Sequence, residues 1–407
     1  MFEIKVELEQ DHQQLGEVVV VADAKKNTEN AIITQQRTSL VMQTGASAQQ
    51  ITKTQDKDAS EVIRRVPGIS MIEEKFVMVR GFSQRYNNVW IYNSAVPSSE
   101  ADARAFSFDI IPSSQLDNML VVKSPAPEYP ADFSGGFILV NTKDVPSSNL
   151  FTISVGTSLN DQTHFKKFLY NKGSGTDFLG FDNGFRSLKG GINAVLSPMN
   201  NGYDLLNNGL NNDWTVKDRR PLADLSLNMN FSRRWVDSSG RTLAILGTVN
   251  YSNSYRTYLD MDNNLFGAYD MTHDCSNYLR KSIDDQYNHS VRIGTMLNFT
   301  YIPASGNSRY EFKNIFNQLG KDRYTYRKGT DAQSDYEESA EYYYQSRTTY
   351  NGQFTGKHTL GNTDKLDWSA GYSYANRNMP DRRRYTTVLN EAVSYTHLRA
   401  HETLSDL

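Results

Sequence analysis

The stretch VRIGTMLNFTY, residues 291–301, decides the fold because its apolar residues alternate with small or polar ones. Successive side chains of a β-strand point to opposite faces, so a period of two gives one strand an apolar face and a polar face. Residues 151–159, 225–231 and 366–374 show the same alternation. The runs last about nine to twelve residues, the length of a tilted strand that crosses a membrane. Because strands of soluble sandwiches usually have about five or six residues, the pattern favours an antiparallel transmembrane β-barrel over a soluble β fold.

The composition agrees with this class and excludes several others. The 407 residues include 43 basic and 46 acidic side chains, a net charge of −3, so no charge excess would draw the chain onto nucleic acid. Apolar residues make up 38%, aromatic residues 12%, and the mean hydropathy is −0.60. The longest aliphatic run, residues 18–22, is far shorter than the roughly 20 residues of a spanning helix. The single cysteine, Cys275, excludes a disulfide framework.

Residues 47–145 are predicted to form a compact α+β domain with short elements. An amphipathic helix is indicated by apolar residues at i, i+3, i+4 and i+7: Ala59, Val62, Ile63 and Val66. Short strands are expected at 69–72, 76–80, 88–92, 118–123 and 136–142. A helical turn at 110–117, capped by Ser113 or Ser114, completes the domain.

Several motifs of this domain resemble, in the same order, the plug domain of TonB-dependent outer-membrane receptors. They are EVIRRVPGI (61–69), VMVRGF (77–82), RYNNVWIYN (85–93), PSS (112–114), VVKS (121–124), YPADFSGG (129–136) and VNTK (140–143). Residues 2–8, running into 17–22, are similar to the end of a carboxypeptidase-regulatory-like domain, which precedes the plug in many of these receptors.

The resemblance implies a mainly β protein in the Gram-negative outer membrane, with a small α+β plug closing a barrel of about 22 strands. It implies import of a scarce nutrient into the periplasm, energised by inner-membrane TonB acting on the plug, without enzyme chemistry or a cofactor. The implied partners are the TonB complex, a small-molecule or oligomeric nutrient, outer-membrane lipid and a surface lipoprotein, but no nucleic acid. Whether the nutrient is a siderophore, glycan, peptide or metal complex stays open.

Two other classes of protein remain as alternatives. One is a secreted or surface β-rich protein that binds or hydrolyses carbohydrate, although no pair of carboxylates stands out as an acid pair. The other is an outer-membrane receptor that signals without transporting.

The chain is expected to divide into five segments. Residues 1–24 would end the regulatory-like domain, 25–46 would be a linker, 47–145 the plug, and 150–391 a partial barrel with external loops at 200–212 and 260–264. Residues 392–407 show no strand pattern and resemble translated adapter read-through, so the chain is expected to be a fragment.

The resemblance also implies two candidate contact sites. An extended apolar segment is the candidate for pairing with a TonB strand by β-augmentation, or else the last strand of the upstream domain: Glu17, Val18, Val19, Val20, Val21 and Ala22. Arg80 and Gly81 are the candidate latch, where a basic side chain would meet a carboxylate of the barrel wall. The alternative for this pair is a strand-to-turn exit at which Gly81 supplies a positive φ.

Two polar clusters do not fit the pattern of a metal site. Residues 260–264, DMDNN, lack the glycine and glutamate of a calcium loop at its sixth and twelfth positions. His273 and Cys275 alone would be too few ligands for a metal.

A group of tyrosines is expected to form an aromatic girdle, with a carbohydrate-stacking surface as the alternative: Tyr324, Tyr326, Tyr342, Tyr343 and Tyr344.

Overall fold

The protein has two parts, a small N-terminal domain and a large antiparallel sheet. The computed structural model describes residues 27–73, 75–92, 94–98, 104–143, 149–187, 211–333, 335–361, 364–389 and 397–399. The expected regulatory-like end at 1–24, with its candidate strand at 17–22, lies outside the described residues. Within the described ranges, no helix combines the length and the hydrophobicity that crossing a membrane requires.

The N-terminal domain is built from short elements around one small sheet. In chain order these are α1 (Glu29–Thr38), β1 (Gln43–Ser47), α2 (Ala48–Thr54), α3 (Ala59–Arg64), β2 (Ile69–Ile72), β3 (Phe76–Val79), β4 (Asn88–Ile91), β5 (Ser94–Ala95), β6 (Leu116–Val122) and β7 (Phe137–Thr142). The sheet order is β1-β6-β7-β4-β5, in which β4 and β7 run parallel, and β2 and β3 form a separate hairpin. The five predicted strands are confirmed, with ends that differ by a few residues.

Helix α3 confirms the predicted amphipathic segment. Its cap is Asp58, whose Oδ1 accepts hydrogen bonds from the backbone N–H groups of Ser60 at 3.1 Å and Glu61 at 3.2 Å. The apolar positions at helical spacing are all buried: Ala59, Val62, Ile63 and Val66. They pack in one cluster with apolar residues of β6 and β7, so this helix and the sheet share the domain core.

Residues 25–46, expected to be a linker, instead hold α1 and β1, so that expectation was wrong. Ile32 is the buried residue of α1, and a helix with so little apolar surface leaves almost no periodicity to recognise. Strand β1 pairs with β6 through backbone hydrogen bonds. Residues with polar side chains make these bonds as readily as residues with apolar side chains. Gly45 permits the close approach, because a Cβ there would lie 2.4 Å from the Met119 carbonyl oxygen.

The helical turn expected at 110–117 is a 3-10 turn at Ser113–Gln115, and no side chain caps it. The two serines have other partners. Ser113 Oγ donates to the backbone oxygen of Asp56, and Ser114 Oγ donates to Asn250 Oδ1 of the large sheet. The hydroxyls predicted to cap the turn therefore tie it to its neighbours.

The large sheet consists mainly of long strands. In chain order the remaining strands are β8 (Leu150–Ser158), β9 (Phe168–Tyr170), β10 (Lys217–Arg219), β11 (Asp224–Val236), β12 (Thr242–Asp262), β13 (Leu265–Asp270), β14 (Cys275–Ile302), β15 (Ser308–Asp331), β16 (Tyr336–Leu360), β17 (Asp364–Leu389) and β18 (His397–Arg399). The order is β18-β17-β16-β15-β14-β12-β11-β8, with β13 also on β14 and with β9 and β10 paired separately. All of these pairings are antiparallel.

The alternating runs are confirmed as strands, but most of the strands are longer than the runs that predicted them. The run at 291–301 is the last part of β14, which has 28 residues. Residues 260–264 are not an external loop, because β12 ends at Asp262 and β13 begins at Leu265. Residues 200–210 of the other expected loop lie outside the described part of the chain. In the tail where no strand was expected, β18 pairs with β17.

The two faces of the sheet differ, and so do its two ends. The outer face carries a row of exposed large apolar residues, which we call the apolar band: Leu225, Met229, Phe231, Leu243, Val249, Leu297, Phe312, Phe354, Leu366, Trp368, Tyr372 and Tyr374. Alternate residues point to the inner face, which holds the N-terminal domain. We call the end where the chain enters at Leu150 the near end, and β14 to β17 extend beyond the band to the far end.

A bulge in β17 reverses, for the residues beyond it, which sequence positions point to the inner face and which point to the outer face. Opposite Gln345 of β16 lie two residues of β17, 379–380. The extra residue shifts the period of two by one position. Beyond the bulge, Arg382 and Arg384 therefore lie on the inner face and Arg383 lies on the outer face.

Residues 160–187 and 211–220, which we call the cover, fold over the outer face at the far end. Phe168 of the cover packs edge-on against Tyr255 and Tyr287, with ring centroids 5.3 and 5.5 Å apart. Trp214 packs edge-on against Tyr342 at 5.8 Å. These aromatic pairs bury the outer face above the apolar band.

The cover also changes the role expected for the tyrosines. Tyr342 and Tyr344 are each 3% exposed, so neither an aromatic girdle nor an open carbohydrate surface is formed there. The guanidinium of Arg186 lies 3.8 Å from the centroid of the Tyr344 ring. The same guanidinium donates to Asp177 at 2.6 Å and to Asp182 at 2.9 Å, so one buried cation joins the cover to the sheet.

Replacing Arg186 by Met should loosen the cover without unfolding the sheet. The substitution leaves Asp177 and the 3%-exposed Asp182 side chain without their cation, a loss expected to cost about 3–5 kcal/mol for a buried pair. Limited proteolysis should then cut within 160–187 at lower protease concentrations than in the wild type. Lys166→Met, an exposed change in the same segment, is the control and should leave the cleavage rate unchanged. Equal cleavage of Arg186→Met and wild type would contradict the role of this cation.

Candidate functional site

A buried contact between the N-terminal domain and the large sheet is an ionic cluster at Asp109. This residue lies in a 3-10 turn, Phe108–Ile110, between apolar neighbours that are almost fully buried. Its Oδ2 accepts hydrogen bonds from Arg347 Nη2 of β16 and from Lys321 Nζ of β15, the latter at 3.1 Å. Burial alone would raise the pKa of the Asp109 carboxyl, but Arg347 and Lys321 hold that pKa well below its usual range.

A second carboxylate, Asp58, links the same two parts of the protein. Its Oδ1 caps helix α3, while its Oδ2 accepts a hydrogen bond from Arg292 Nη2 of β14 at 3.0 Å. Both side chains of this ion pair are mostly buried. One aspartate thus fixes the start of a core helix and the position of that helix on the sheet. We call the two carboxylates and their three cations the ionic latch.

Neutral hydrogen bonds extend the contact along the sheet. Asn298 Nδ2 donates to the Lys143 backbone oxygen at 2.9 Å. Ser373 Oγ donates to the Ala95 backbone oxygen at 3.1 Å, and Ser114 bonds Asn250 as described above. The contact is therefore largely polar, with Leu319 of β15 joining the apolar core of the N-terminal domain.

Gly294 of β14 allows the N-terminal domain to approach the sheet backbone. A Cβ at this position would lie 2.6 Å from Pro112 Cγ and 3.0 Å from Gln115 Nε2. Real Cβ atoms do not come this close to other heavy atoms, so any larger residue would push the domain away from the strand.

Arg80 and Gly81, the candidate latch from the sequence, lie at the end of β3 with φ of 54° and 80°. Arg80 Nη2 donates to the backbone oxygens of Gly135 at 3.0 Å and Ser134 at 3.3 Å, both within the N-terminal domain. The positive φ of Gly81 agrees with the strand-to-turn reading of the pair. A latch role for the pair stays a prediction, and the ion pairs described above join the two parts through other residues.

A basic residue on the domain and a carboxylate on the wall were expected from the sequence. At Asp58 and Asp109 the carboxylates instead lie on the domain, and the basic residues lie on the wall. One signal could have found Asp109, because it stands in FSFDII, residues 106–111, between residues that belong in a core. A charge in such a position needs a partner from elsewhere in the chain. For metals, the described residues contain no group of three or more His, Cys, Asp or Glu side chains placed to hold an ion.

The model of the family "TonB-dependent Receptor Plug Domain" matches residues 35–137. Residues 35–137 form a plug domain of this family. The match includes both aspartates of the ionic latch, and the family it names is a receptor domain, not an enzyme. The large antiparallel sheet that the plug contacts is called the wall below.

Among solved structures, a mutant of the ferric enterobactin receptor PfeA from Pseudomonas aeruginosa is similar, with a TM-score of 0.32, 9% identity and coverage of 87% of this chain and 58% of that one. The siderophore receptor PirA from Acinetobacter baumannii gives 0.31, 10%, 87% and 57%. The ferric-catecholate import receptor Fiu from E. coli K12 gives 0.29, 10%, 87% and 68%. The chain therefore spans less than two thirds of the length of the first two. No curated protein matches the sequence.

The Asp109–Arg347 pair should be strongly coupled in a double-mutant cycle. Arg347→Met leaves a buried carboxylate with Lys321 alone, and a broken buried pair typically costs about 3–5 kcal/mol. Asp109→Asn in the same chain should recover part of this loss, because the unpaired charge is removed. The free energy of unfolding in detergent, followed by urea titration, measures each corner of the cycle. The exposed pair Asp237–Arg241 is the control and should show no coupling; additive effects at Asp109 and Arg347 would refute the latch.

The stabilisation by Asp109 should not change between pH 7.5 and pH 5. A carboxyl whose folded-state pKa is depressed contributes stability above its unfolded pKa, about 3.9, and loses it only as pH falls towards the folded pKa. The difference in unfolding free energy between wild type and Asp109→Asn should therefore stay flat over this range. A difference that shrinks by pH 5 would show that the carboxylate is not held ionised by its partners.

Proposed function

We propose that this chain is the plug and part of the wall of an outer-membrane receptor that imports a scarce nutrient into the periplasm. The observation that carries this proposal is a plug held on the inner face of a β-wall by buried ion pairs, opposite an exposed apolar band. Such an apolar band suits contact with lipid, and the polar inner face suits contact with a plug and with water.

The polar nature of the contact supports a plug that can move. Ion pairs and hydrogen bonds between plug and wall can be exchanged for bonds to water when the two parts separate. A contact made mainly of apolar surface would resist separation in proportion to the area exposed. A plug held by a few buried charges is therefore stable at rest and can still be displaced by an applied force.

TonB would supply that force from the periplasmic side. Residues 17–22 remain the candidate strand for TonB, because an extended apolar segment ahead of the plug can add to the edge of a partner sheet. In this proposal the receptor lies in the outer membrane of a Gram-negative bacterium. Its partners are TonB, the nutrient and the surrounding lipid, with a surface lipoprotein as a further candidate.

The TonB contact can be tested with two proline variants, Val19→Pro and Val20→Pro. Proline removes a backbone N–H, and neighbouring N–H groups point to opposite edges of a strand, so one of the two changes must remove a bond to TonB. The receptor extracted from outer membranes should be captured by the immobilised periplasmic domain of TonB, and at least one variant should lose this capture.

Lys25→Pro, beyond the candidate strand, is the matched control and should be captured like the wild type. Capture of both proline variants at wild-type levels would move the TonB contact away from residues 17–22. Failure to capture the wild type, or recovery of the receptor without detergent in a soluble fraction, would overturn the proposed function itself.

A further inference from the structure

The inner face of the wall continues past the plug as a surface rich in arginine. Lys321 of β15 forms an ion pair with Asp109 of the plug. Beyond this position, β15, β16 and β17 continue toward the far end. Along these strands, inner-face residues form what we call the cationic patch: Lys321, Arg323, Glu341, Tyr343, Gln345, Arg382 and Arg384. Four of its side chains are basic and one is acidic.

The patch is held together by one carboxylate shared between two strands. Arg323 Nη2 of β15 and Arg382 Nε of β17 each donate to Glu341 of β16 at 3.0 Å. Arg384 lies directly opposite Glu341 in register and is exposed. Because a single negative charge cannot balance three guanidinium groups, the patch keeps a net positive charge.

Buried donors in the patch point to a ligand. Gln345 is 6% exposed, and its Nε2 has no hydrogen-bond partner among the described residues, while its Oε1 accepts from the Tyr343 hydroxyl at 2.5 Å. The buried Arg323 Nε likewise has no partner within the described part of the chain. Buried N–H donors are normally satisfied, so two unsatisfied donors beside excess positive charge indicate a place for an acceptor.

We infer that the cationic patch binds an anionic group of the imported solute, such as a carboxylate, phosphate or sulfonate. The inference rests on the proposed function, since it names the chemical class of the solute. Guanidinium groups favour such groups because they offer several N–H donors in one plane. The Tyr343 ring, 4.7 Å from the Arg323 guanidinium, supports that side chain from one side.

The position of the patch also places it beside the plug. Lys321 lies opposite Gln345 in register, and its ammonium group is 3.1 Å from Asp109 Oδ2 of the ionic latch. An anion bound at Gln345 and Arg323 would therefore share Lys321 with the plug carboxylate. Binding and the hold on the plug would use the same cation.

Fluorescence anisotropy with a trisulfonated pyrene dye, 8-hydroxypyrene-1,3,6-trisulfonate, tests the inference on the complete receptor purified in detergent. Arg323→Gln and Arg382→Gln should each weaken binding about tenfold, or about 1.4 kcal/mol, the scale of one charge-assisted hydrogen bond. Arg323→Lys keeps the charge and should lose less. Lys328→Gln is the matched control, because Lys328 is an exposed cation at the same end of β15 but on the outer face.

The outcomes separate this inference from the proposed function. Circular dichroism of each variant must first match the wild type, so that lost binding is not lost folding. Dye binding that depends on Arg323 and Arg382 but not on Lys328 would support the patch, whether or not TonB captures the receptor. Equal affinity of the wild type and the Arg323→Gln, Arg382→Gln double variant, or no binding by the wild type, would overturn the inference while leaving TonB capture intact.

Discussion

The structure depends on a carboxylate kept charged inside a protein interior. Asp109 is buried between apolar residues of the plug, where an isolated charge would be very costly, and its hydrogen-bond partners among the described residues belong to the wall. The plug can therefore reach its full stability only when it is seated on the sheet. Asp58 makes a second contact of this kind. Its Oδ1 caps α3, and its Oδ2 accepts a hydrogen bond from Arg292 of the wall. Together the two carboxylates fix the seated position of the plug, because both accept hydrogen bonds from cations of the wall.

The period of two explains how one sheet meets such different surroundings. Each strand gives its even and odd residues to opposite faces, so apolar residues gather on the outside while amides, hydroxyls and arginines gather on the inside. The cover modifies this scheme only at the far end. There the outer face turns aromatic and is buried by Phe168 and Trp214 of the cover instead of remaining open. The position of an outward-facing residue along its strand therefore decides whether it is exposed in the apolar band or buried under the cover.

The sequence predicted those features that repeat or that are local. Alternation revealed the strands, and the spacing of four apolar residues revealed α3, because each signal needs only neighbouring positions. Features that depend on distant partners were missed. The partners of Asp109 lie more than 200 residues away along the chain, and nothing near Tyr342 tells that Trp214 will cover it. Strand β1 resembles a linker in sequence because its backbone pairing with β6 leaves no mark in side-chain hydrophobicity. The strand ends at the far end were missed for a related reason, since above the apolar band the outer face mixes tyrosines with charged residues and the hydrophobic alternation fades.

The bulge in β17 has a consequence for its three consecutive arginines. Arg383 donates to the backbone oxygens of Asn211 and Asp213 at 2.8 Å and so fastens the cover, whereas its neighbours on either side belong to the cationic patch. The assignment of these arginines to two tasks is set by a single extra residue at 379–380 and not by their chemistry. If the same residues paired one to one without the bulge, Arg383 would face the interior and Arg382 and Arg384 would face outward. The cover would then lose its anchor and the interior two of its cations, although every arginine would still be present in the chain.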